Sequence, residues 1–225
     1  DPATEFCFAA ALCGVHLSRL AEDMILWSTA EFGFARMPDE FSTGSSLMPQ
    51  KRNPDSMELL RGKAARFQAS LTHLLTLTKG LPLTYNRDLQ DDKPPLFDAA
   101  DQILLSLDVA AATLRGTTFN RARCLAAASD PALLATDLAD WLVLKGMPFR
   151  HAHHAVGRLV ALAEKSGVPL DKLSDATALT ADAAFTKGWR EVFSLQRGFA
   201  ARENTGMPGP KAVARELARW QKALR

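Results

Sequence analysis

Residues 57–74 read MELLRGKAARFQASLTHL, and their apolar side chains recur at alternating intervals of three and four. This spacing is typical of a helix that packs nearly parallel or antiparallel to others, and small alanines allow a close approach. Residues 10–27 and 96–114 have the same spacing, so the sequence predicts three long helices. The stripe residues are Ala10, Cys13, Leu17, Leu20, Met24 and Trp27, then Met57, Leu60, Ala64, Phe67, Leu71 and Leu74, then Leu96, Ala100, Ile103, Leu107, Ala110 and Leu114.

Residues that begin and end helices support this interpretation. Asn53 before Pro54 is typical of an N-cap with proline at the first helical position. Pro94 is followed by another proline, and the pair fits only in the first turn of the third helix. Gly80 and Gly116 stand where a left-handed residue ends a helix. Helices of about 22 to 26 residues reach roughly 33 to 39 Å, which favours an elongated bundle completed by other subunits.

The pattern changes after Gly116, where Asp130-Pro131 and Pro148 introduce shorter helices. No strand pattern is clear anywhere, so the sequence predicts an all-α chain. We expect residues 1–118 to form long antiparallel helices of a central bundle, with a loop at 42–54. Residues 119–225 are expected to form a small C-terminal helical domain.

The composition excludes several classes of protein. The chain of 225 residues has 27 basic and 25 acidic side chains, and a net charge of +2 gives no drive toward nucleic acid. No apolar run is long enough to span a bilayer, so neither nucleic acid nor membrane is an expected partner. Cys7, Cys13 and Cys124 form no CxxC pair, which favours small apolar roles in a reducing, cytoplasmic setting.

The residues at 42–54 read STGSSLMPQKRNP and contain the most distinctive chemistry. Glycine followed by Ser45 and Ser46 offers backbone N–H groups and hydroxyls that can surround an anion. Lys51 adds a positive charge, and Asn53 precedes a helix N-terminus that favours negative charge. The segment therefore predicts a carboxylate or phosphate site, although an ordinary polar loop before a capped helix explains the same residues equally well.

The exact string resembles the GSSxMPxKxNP signature of the fumarase/aspartase superfamily. With the TYNRDLQDDK run at 84–93, the segment MPQKRNPD resembles argininosuccinate lyase and its relative δ-crystallin. The later run LATDLA at 134–139, through KGMPFR at 145–150, is similar to the C-terminal domain of the same family. The resemblance covers nearly the whole chain and is strongest at 41–100.

The resemblance implies roles for eight residues. Ser45 matches the general base, which needs activation because serine is a weak base. Lys51 stabilises the charge formed on deprotonation, and Glu58 orients a catalytic histidine of a neighbouring subunit. The substrate-binding positions are Ser46, Asn53, Tyr85, Gln90 and Lys93. The catalytic histidine that Glu58 would orient is expected in a segment N-terminal to Asp1, so the chain alone is expected to be inactive.

The activity implied by the resemblance is that of a carbon–nitrogen lyase in arginine biosynthesis, which reversibly eliminates fumarate from argininosuccinate to give arginine. A homotetramer, in which three subunits contribute to each site, and the absence of any metal or cofactor are implied with it. His151, His153 and His154 suggest a metal site, but no carboxylate or cysteine spacing completes one. Adenylosuccinate lyase and a structural protein of the δ-crystallin type remain the alternatives.

Overall fold

The computed structural model of the chain describes residues 1–44, 46–48 and 51–224. Helices account for most of the described residues. The α-helices are α1 (Pro2–Ser28), α2 (Asp55–Thr78), α3 (Lys93–Gly116), α4 (Arg121–Ala128), α5 (Ala135–Leu144), α6 (Phe149–Ser166), α7 (Asp175–Ala181), α8 (Leu195–Ala200) and α9 (Pro210–Ala223). Short 3₁₀ segments lie at Asp39–Phe41, Arg87–Asp92, Pro131–Leu134, Leu170–Lys172 and Trp189–Phe193. The all-α prediction is confirmed.

Four strands of two residues each form two small antiparallel ladders. In the first, β1 (Ala35–Arg36) pairs with β4 (Thr118–Phe119). In the second, β2 (Thr43–Gly44) pairs with β3 (Arg52–Asn53). No periodicity predicted these strands, because a ladder of two residues is too short to produce an alternating pattern.

The chain divides into two compact units, Asp1–Cys124 and Leu125–Arg225. The residues after α3 belong to the first unit because they are tied to the loop that follows α1. Arg123 donates from Nη2 to the carbonyl of Glu31 at 2.7 Å and from Nε to the carbonyl of Phe32 at 3.2 Å.

The three long helices of the first unit are sequential antiparallel neighbours. Glu22 of α1 accepts a hydrogen bond from Arg61 of α2 at 2.6 Å, and Arg66 of α2 donates from Nε to Asp98 of α3 at 2.7 Å. The predicted stripe of α2 packs at the centre, since Met57, Leu60, Phe67, Leu71 and Leu74 are all buried. Small side chains bring α1 close to α2, and a Cβ on Gly14 would lie 2.5 Å from the Phe67 ring.

The stripe predicted for α3 is only partly buried. Ile103 and Ala110 are in the core, whereas Leu107 and Leu114 are exposed at 43% and 39%. The buried face of α3 also carries Ser106 and Thr113, which donate hydrogen bonds back to carbonyls four residues earlier. Because these hydroxyls are satisfied within their own helix, they can be buried, and Thr113 Oγ1 also donates to Ser56 Oγ of α2 at 3.5 Å.

Of the three predicted helix ends at Gly80, Gly116 and Asn53, the first agrees with the structure and the other two do not. Gly80 has the expected positive φ of 78°. The prediction for Gly116 is wrong: it lacks a positive φ and serves a close approach instead, because a Cβ there would lie 2.7 Å from Pro38 Cγ. Asn53 is not the N-cap of α2, since it pairs with Thr43 in an extended ladder and α2 begins at Asp55.

The second unit packs short helices around an aromatic centre. Trp189 and Phe185 are each 1% exposed, and their ring centroids are 6.0 Å apart at 62°. Leu138, Leu142 and Leu159 of α5 and α6 complete the core and are fully buried. None of the helices in the described part of the chain is long and apolar enough to cross a membrane.

The cysteines are all unpaired thiols. Cys7 is fully buried in α1, and burial raises the pKa of its thiol. Cys13 and Cys124 are half-buried.

Candidate functional site

The signature segment forms a hairpin immediately before α2. Thr43 pairs with Asn53 and Gly44 pairs with Arg52, and the Thr43 hydroxyl donates a hydrogen bond to the Asp55 carboxylate in the first turn of α2. The hairpin is therefore joined to the helix N-terminus by both backbone and side chain. A negative charge at Asp55 is favourable there because the free N–H groups of a helix start carry partial positive charge.

The predicted anion ligands lie on or beside this hairpin. Ser46 and Lys51 are exposed, Asn53 is half-buried, and the backbone N–H of Lys51 donates to the carbonyl of Met48 at 2.9 Å. Glu58 is exposed in the first turn of α2. Ser45, the predicted base, lies outside the described residues, as do Pro49 and Gln50.

Two arginines that the sequence argument did not select lie next to the hairpin. Arg52 forms an ion pair with Asp39, and the same carboxylate is 3.7 Å from Arg36. Arg36, Arg52 and Asn53 line a cavity of about 720 Å³ between the hairpin and the β1–β4 ladder. Arg36 could not be linked to the signature from the sequence, because the ladder that places it there has no sequence pattern.

Charges on the first turns of α2 are balanced locally. The hydrogen bond to Glu22 raises the pKa of Arg61, and the charge of Glu58 adds to that effect. Glu58 lies one helical turn before Arg61 in the same helix. Because its side chain is exposed, it stays accessible to a group from outside this unit.

The other predicted substrate residues form a second group after α2. Tyr85 is 67% exposed, and its hydroxyl accepts a hydrogen bond from Gln90 Nε2 at 3.2 Å. Lys93 Nζ lies 2.6 Å from Asp92 Oδ1, although no hydrogen bond of acceptable geometry reaches that oxygen from any described residue. His73 Nε2, 3.1 Å from Asp91, ties this segment to the end of α2.

The two groups lie at opposite ends of the same helix. The hairpin precedes α2 and the Tyr85 segment follows it, and the 24 residues of α2 span about 36 Å. The structure thus brings Ser46, Lys51 and Asn53 to one end and Tyr85, Gln90 and Lys93 to the other. The two groups are therefore separated along α2 within one chain.

The histidines of α6 line a separate groove in the second unit. His151 and His154 border a cavity of about 500 Å³ with Arg158 and Asp182, which form an ion pair at 2.8 Å. The described part of the chain contains no group of three or more histidine, cysteine or acidic side chains placed to hold a metal ion.

Two protein-family models match separate parts of the chain. A family model described as "Argininosuccinate lyase C-terminal" matches residues 132–199, and one described as "Lyase" matches residues 1–69. Argininosuccinate lyase from Roseiflexus sp. (strain RS-1) is 52% identical over 224 residues, covering 100% of this chain and 49% of the relative. The enzyme from Anaeromyxobacter sp. (strain K) is 48% identical over the same length and is covered to 48%.

Solved structures show the same fold. A variant of EDDS lyase with bound fumarate superimposes with a TM-score of 0.86 at 27% identity, over 99% of this chain and 46% of that one. A class II fumarase from Schistosoma mansoni has a TM-score of 0.70 at 19% identity, over 85% of this chain and 38% of its own, and shows the fold alone.

The chain spans about half the length of the curated relatives that it matches. The aligned part is their C-terminal region, and the signature hairpin lies within the segment matched by the lyase family. By sequence, fold and signature together, this chain belongs to the argininosuccinate lyase family of the fumarase/aspartase superfamily.

Proposed function

We propose that this chain supplies the C-terminal part of an argininosuccinate lyase, which cleaves argininosuccinate to arginine and fumarate without a cofactor or metal. The observation that carries the proposal is the hairpin, which presents Lys51 and Asn53 beside the N-terminal end of α2. A cation, an amide and a helix N-terminus at one place form a carboxylate site. A cytoplasmic location is part of the same proposal.

The chemistry assigned to the hairpin is proton removal followed by elimination. Ser45 takes the proton from the carbon beside the succinyl carboxylate, and the electron pair moves into that carboxylate. Lys51 and Asn53 hold the added negative charge of the intermediate, which is the largest electrostatic demand of the reaction. The pair held in the carboxylate then forms the carbon–carbon double bond of fumarate as the carbon–nitrogen bond breaks. The electrons of that broken bond leave with the guanidino nitrogen, which an acid protonates.

The separation along α2 supports an active site shared between copies of the chain. Because α2 separates the hairpin from the Tyr85 segment within one chain, we place the hairpin of one copy against the Tyr85 segment of another. We propose a homotetramer whose long helices pack together so that these opposite ends coincide. In this arrangement exposed Glu58 faces a histidine of a further copy, contributed by the half of the protein that this chain does not match. The comparisons name argininosuccinate lyases and favour neither adenylosuccinate lyase nor a purely structural role.

A test of activity requires the remaining half of the enzyme. We would combine this chain with the unmatched N-terminal half of the Roseiflexus relative and follow the ultraviolet absorbance of fumarate. The complemented enzyme is expected to turn over argininosuccinate, and Ser45→Ala is expected to remove most of that turnover while the assembly stays intact. Near-normal turnover with Ser45→Ala would refute the assignment of the base.

Mixed assemblies test the shared site. Lys51→Met and Lys93→Met should each abolish most activity, because each removes one cation from every site. Random mixing of the two variants in equal amounts restores about one site in four, since each site draws the two lysines from different copies. Lys79→Met is the matched control, because this exposed lysine follows α2 and belongs to neither group. No recovery on mixing would contradict a site built from separate copies.

A further inference from the structure

Thr84 has a backbone conformation that stands out in the described part of the chain. Its φ of 82° is positive, and every other described residue with a positive φ is a glycine. For a β-branched residue this is a strained conformation, because the branched Cβ crowds its own backbone. Strain of this kind persists only where surrounding contacts enforce it, and it concentrates at functional sites.

The contacts that enforce it come from Asn86. Its Nδ2 donates to the carbonyl of Pro82 at 3.1 Å and also reaches the carbonyl of Thr84 at 3.4 Å. Asn86 also accepts a hydrogen bond at its own carbonyl from the N–H of Leu89 at 3.1 Å, which joins it to the 3₁₀ segment. One half-buried amide thus bridges both sides of the turn and anchors it to the regular structure that follows.

Tyr85 lies between these two residues in the sequence. With 67% of its surface exposed, the ring has little packing to hold it in one place. Its hydroxyl nevertheless accepts a hydrogen bond from Gln90 at 3.2 Å. This contact joins the ring to the 3₁₀ segment Arg87–Asp92.

We propose that Thr84 and Asn86 are positioning residues: the strained turn that they form fixes the exposed Tyr85 side chain in the orientation that meets substrate at the shared site. Neither residue touches the substrate in this proposal. The proposal rests on the substrate role given to Tyr85 above and extends that role to the residues that orient it. An exposed ring fixed in this way loses little further freedom on binding, which favours affinity.

The experiment uses the fact that Tyr85 is the only tyrosine in the chain. Labelling with 3-fluorotyrosine therefore gives one ¹⁹F resonance, which reports on Tyr85 alone and requires no activity. In the unmodified chain we expect this resonance to be well separated from its position in the urea-unfolded chain. Asn86→Ala should move it most of the way to the unfolded position, while circular dichroism shows the helices intact.

A second variant tests whether the shift in Asn86→Ala comes from release of the turn or from a general loss of structure. Thr84→Gly allows a positive φ without strain, so the amide bridge becomes less necessary. The double variant Thr84→Gly/Asn86→Ala should recover at least half of the separation lost in Asn86→Ala. Arg87→Ala, at the exposed next position, is the control and should keep a resonance distinct from the unfolded one. An unmoved resonance in Asn86→Ala, or no recovery in the double variant, would overturn the proposal.

Kinetics of the complemented enzyme provide the functional readout. Asn86→Ala should raise KM roughly tenfold and change kcat less than about twofold, as expected for lost binding rather than lost chemistry. Tyr85→Phe should change KM in the same direction. If Asn86→Ala moves the resonance but leaves KM unaltered, the turn is supported as the device that orients Tyr85, and the substrate role of Tyr85 in the proposed function is refuted.

Discussion

The unit Asp1–Cys124 and the unit Leu125–Arg225 both bury many small and aliphatic side chains, and their cores differ in the aromatic residues. Along the long helices the buried positions are mostly small or aliphatic, including Ala10, Ala21, Ala99 and Ala110, and α1 approaches α2 at Gly14. In the second unit, short helices surround Trp189, whose ring has edge contacts with Phe185 and Phe193 at 6.0 and 5.9 Å. Close helix contacts therefore characterise the first core, and a cluster of aromatic rings characterises the second.

This difference has a consequence for how each unit fails. A core of close helix contacts is sensitive to added volume, because neither backbone can move away over a long interface. A core around one large ring is sensitive to removed volume, because short helices cannot collapse into the space. The two units also differ in their predicted functional residues, because every predicted site residue belongs to the long-helix unit, Asp1–Cys124.

The largest expected effect is from Trp189→Ala. Removing a ring that is 1% exposed should lower the free energy of unfolding of the second unit by about 3–5 kcal/mol. Urea titration followed by near-ultraviolet circular dichroism measures it. Trp220→Ala is the control, because that ring is 55% exposed and its loss should cost less than about 0.5 kcal/mol. Equal costs for the two variants would show that the aromatic centre does not dominate this unit.

Added volume in the long-helix unit should have the next largest effect. Gly14→Ala places a Cβ 2.5 Å from the buried Phe67 ring and should cost about 1–3 kcal/mol of unfolding free energy. Gly62→Ala, with nothing within 4 Å, should instead stabilise α2 by roughly 0.5–1 kcal/mol. Chemical denaturation of both variants tests the pair, and a stabilising Gly14→Ala would remove the evidence for a close crossing.

A smaller effect should depend on pH. The hydrogen bond from Trp189 Nε1 at 3.0 Å, with a further contribution from Arg190, holds the pKa of Asp175 below its usual value. A carboxylate with a lowered folded pKa stabilises the fold above its unfolded pKa of about 3.9, and this contribution is lost as pH falls through the folded value. Asp175→Asn should therefore unfold more easily than the unmodified chain near pH 7, and the gap should narrow below about pH 4.

Thermal or urea midpoints at several pH values measure that gap. A gap that widens on acidification would contradict the assigned sign. A gap that is constant across the range would show that the Asp175 carboxylate adds no pH-dependent stability.

The smallest expected effect on folding is on the outer face of α3. Leu104 is 63% exposed, so Leu104→Gln should change the helical content very little. If the proposed tetramer covers this face, the same variant should lower the mass of the assembly in light scattering. Ile103→Gln is the matched comparison. Ile103 is the residue before Leu104 and is only 7% exposed, so the amide introduced there would be buried and should unfold the unit. An unchanged mass for Leu104→Gln would place the subunit contacts elsewhere.

Much of the fold was predictable because long helices repeat their signal over many turns. The stripe of α2 was correct at its five buried positions, and the pair beginning at Pro94 was correctly placed in the first turn of α3. The stripe of α3 was less accurate, because buried Ser106 and Thr113 satisfy their own hydroxyls and do not read as core residues. The ladders were missed, since two-residue strands have no period.

The candidate site was also predictable only in part. Its residue types and their family resemblance were evident from the strings at 42–54 and 84–93 alone. The roles given to Ser45, Lys51 and Glu58, and to the substrate-binding residues, stay predictions. The ion pairs of Asp39 with Arg36 and Arg52, and the strained turn at Thr84, had no sequence signal because they depend on backbone directions set by distant contacts.

The sequence by itself determined that this protein has long helices and the signature of a lyase family, because both are recorded in local order along the chain. Only the tertiary structure decided that the segment after α2 lies beside that helix, with Asp91 3.1 Å from His73 Nε2, and that Arg36 lies next to the hairpin. The physical reason is that these contacts join residues far apart in the sequence, and the order of motifs along a sequence carries no distance.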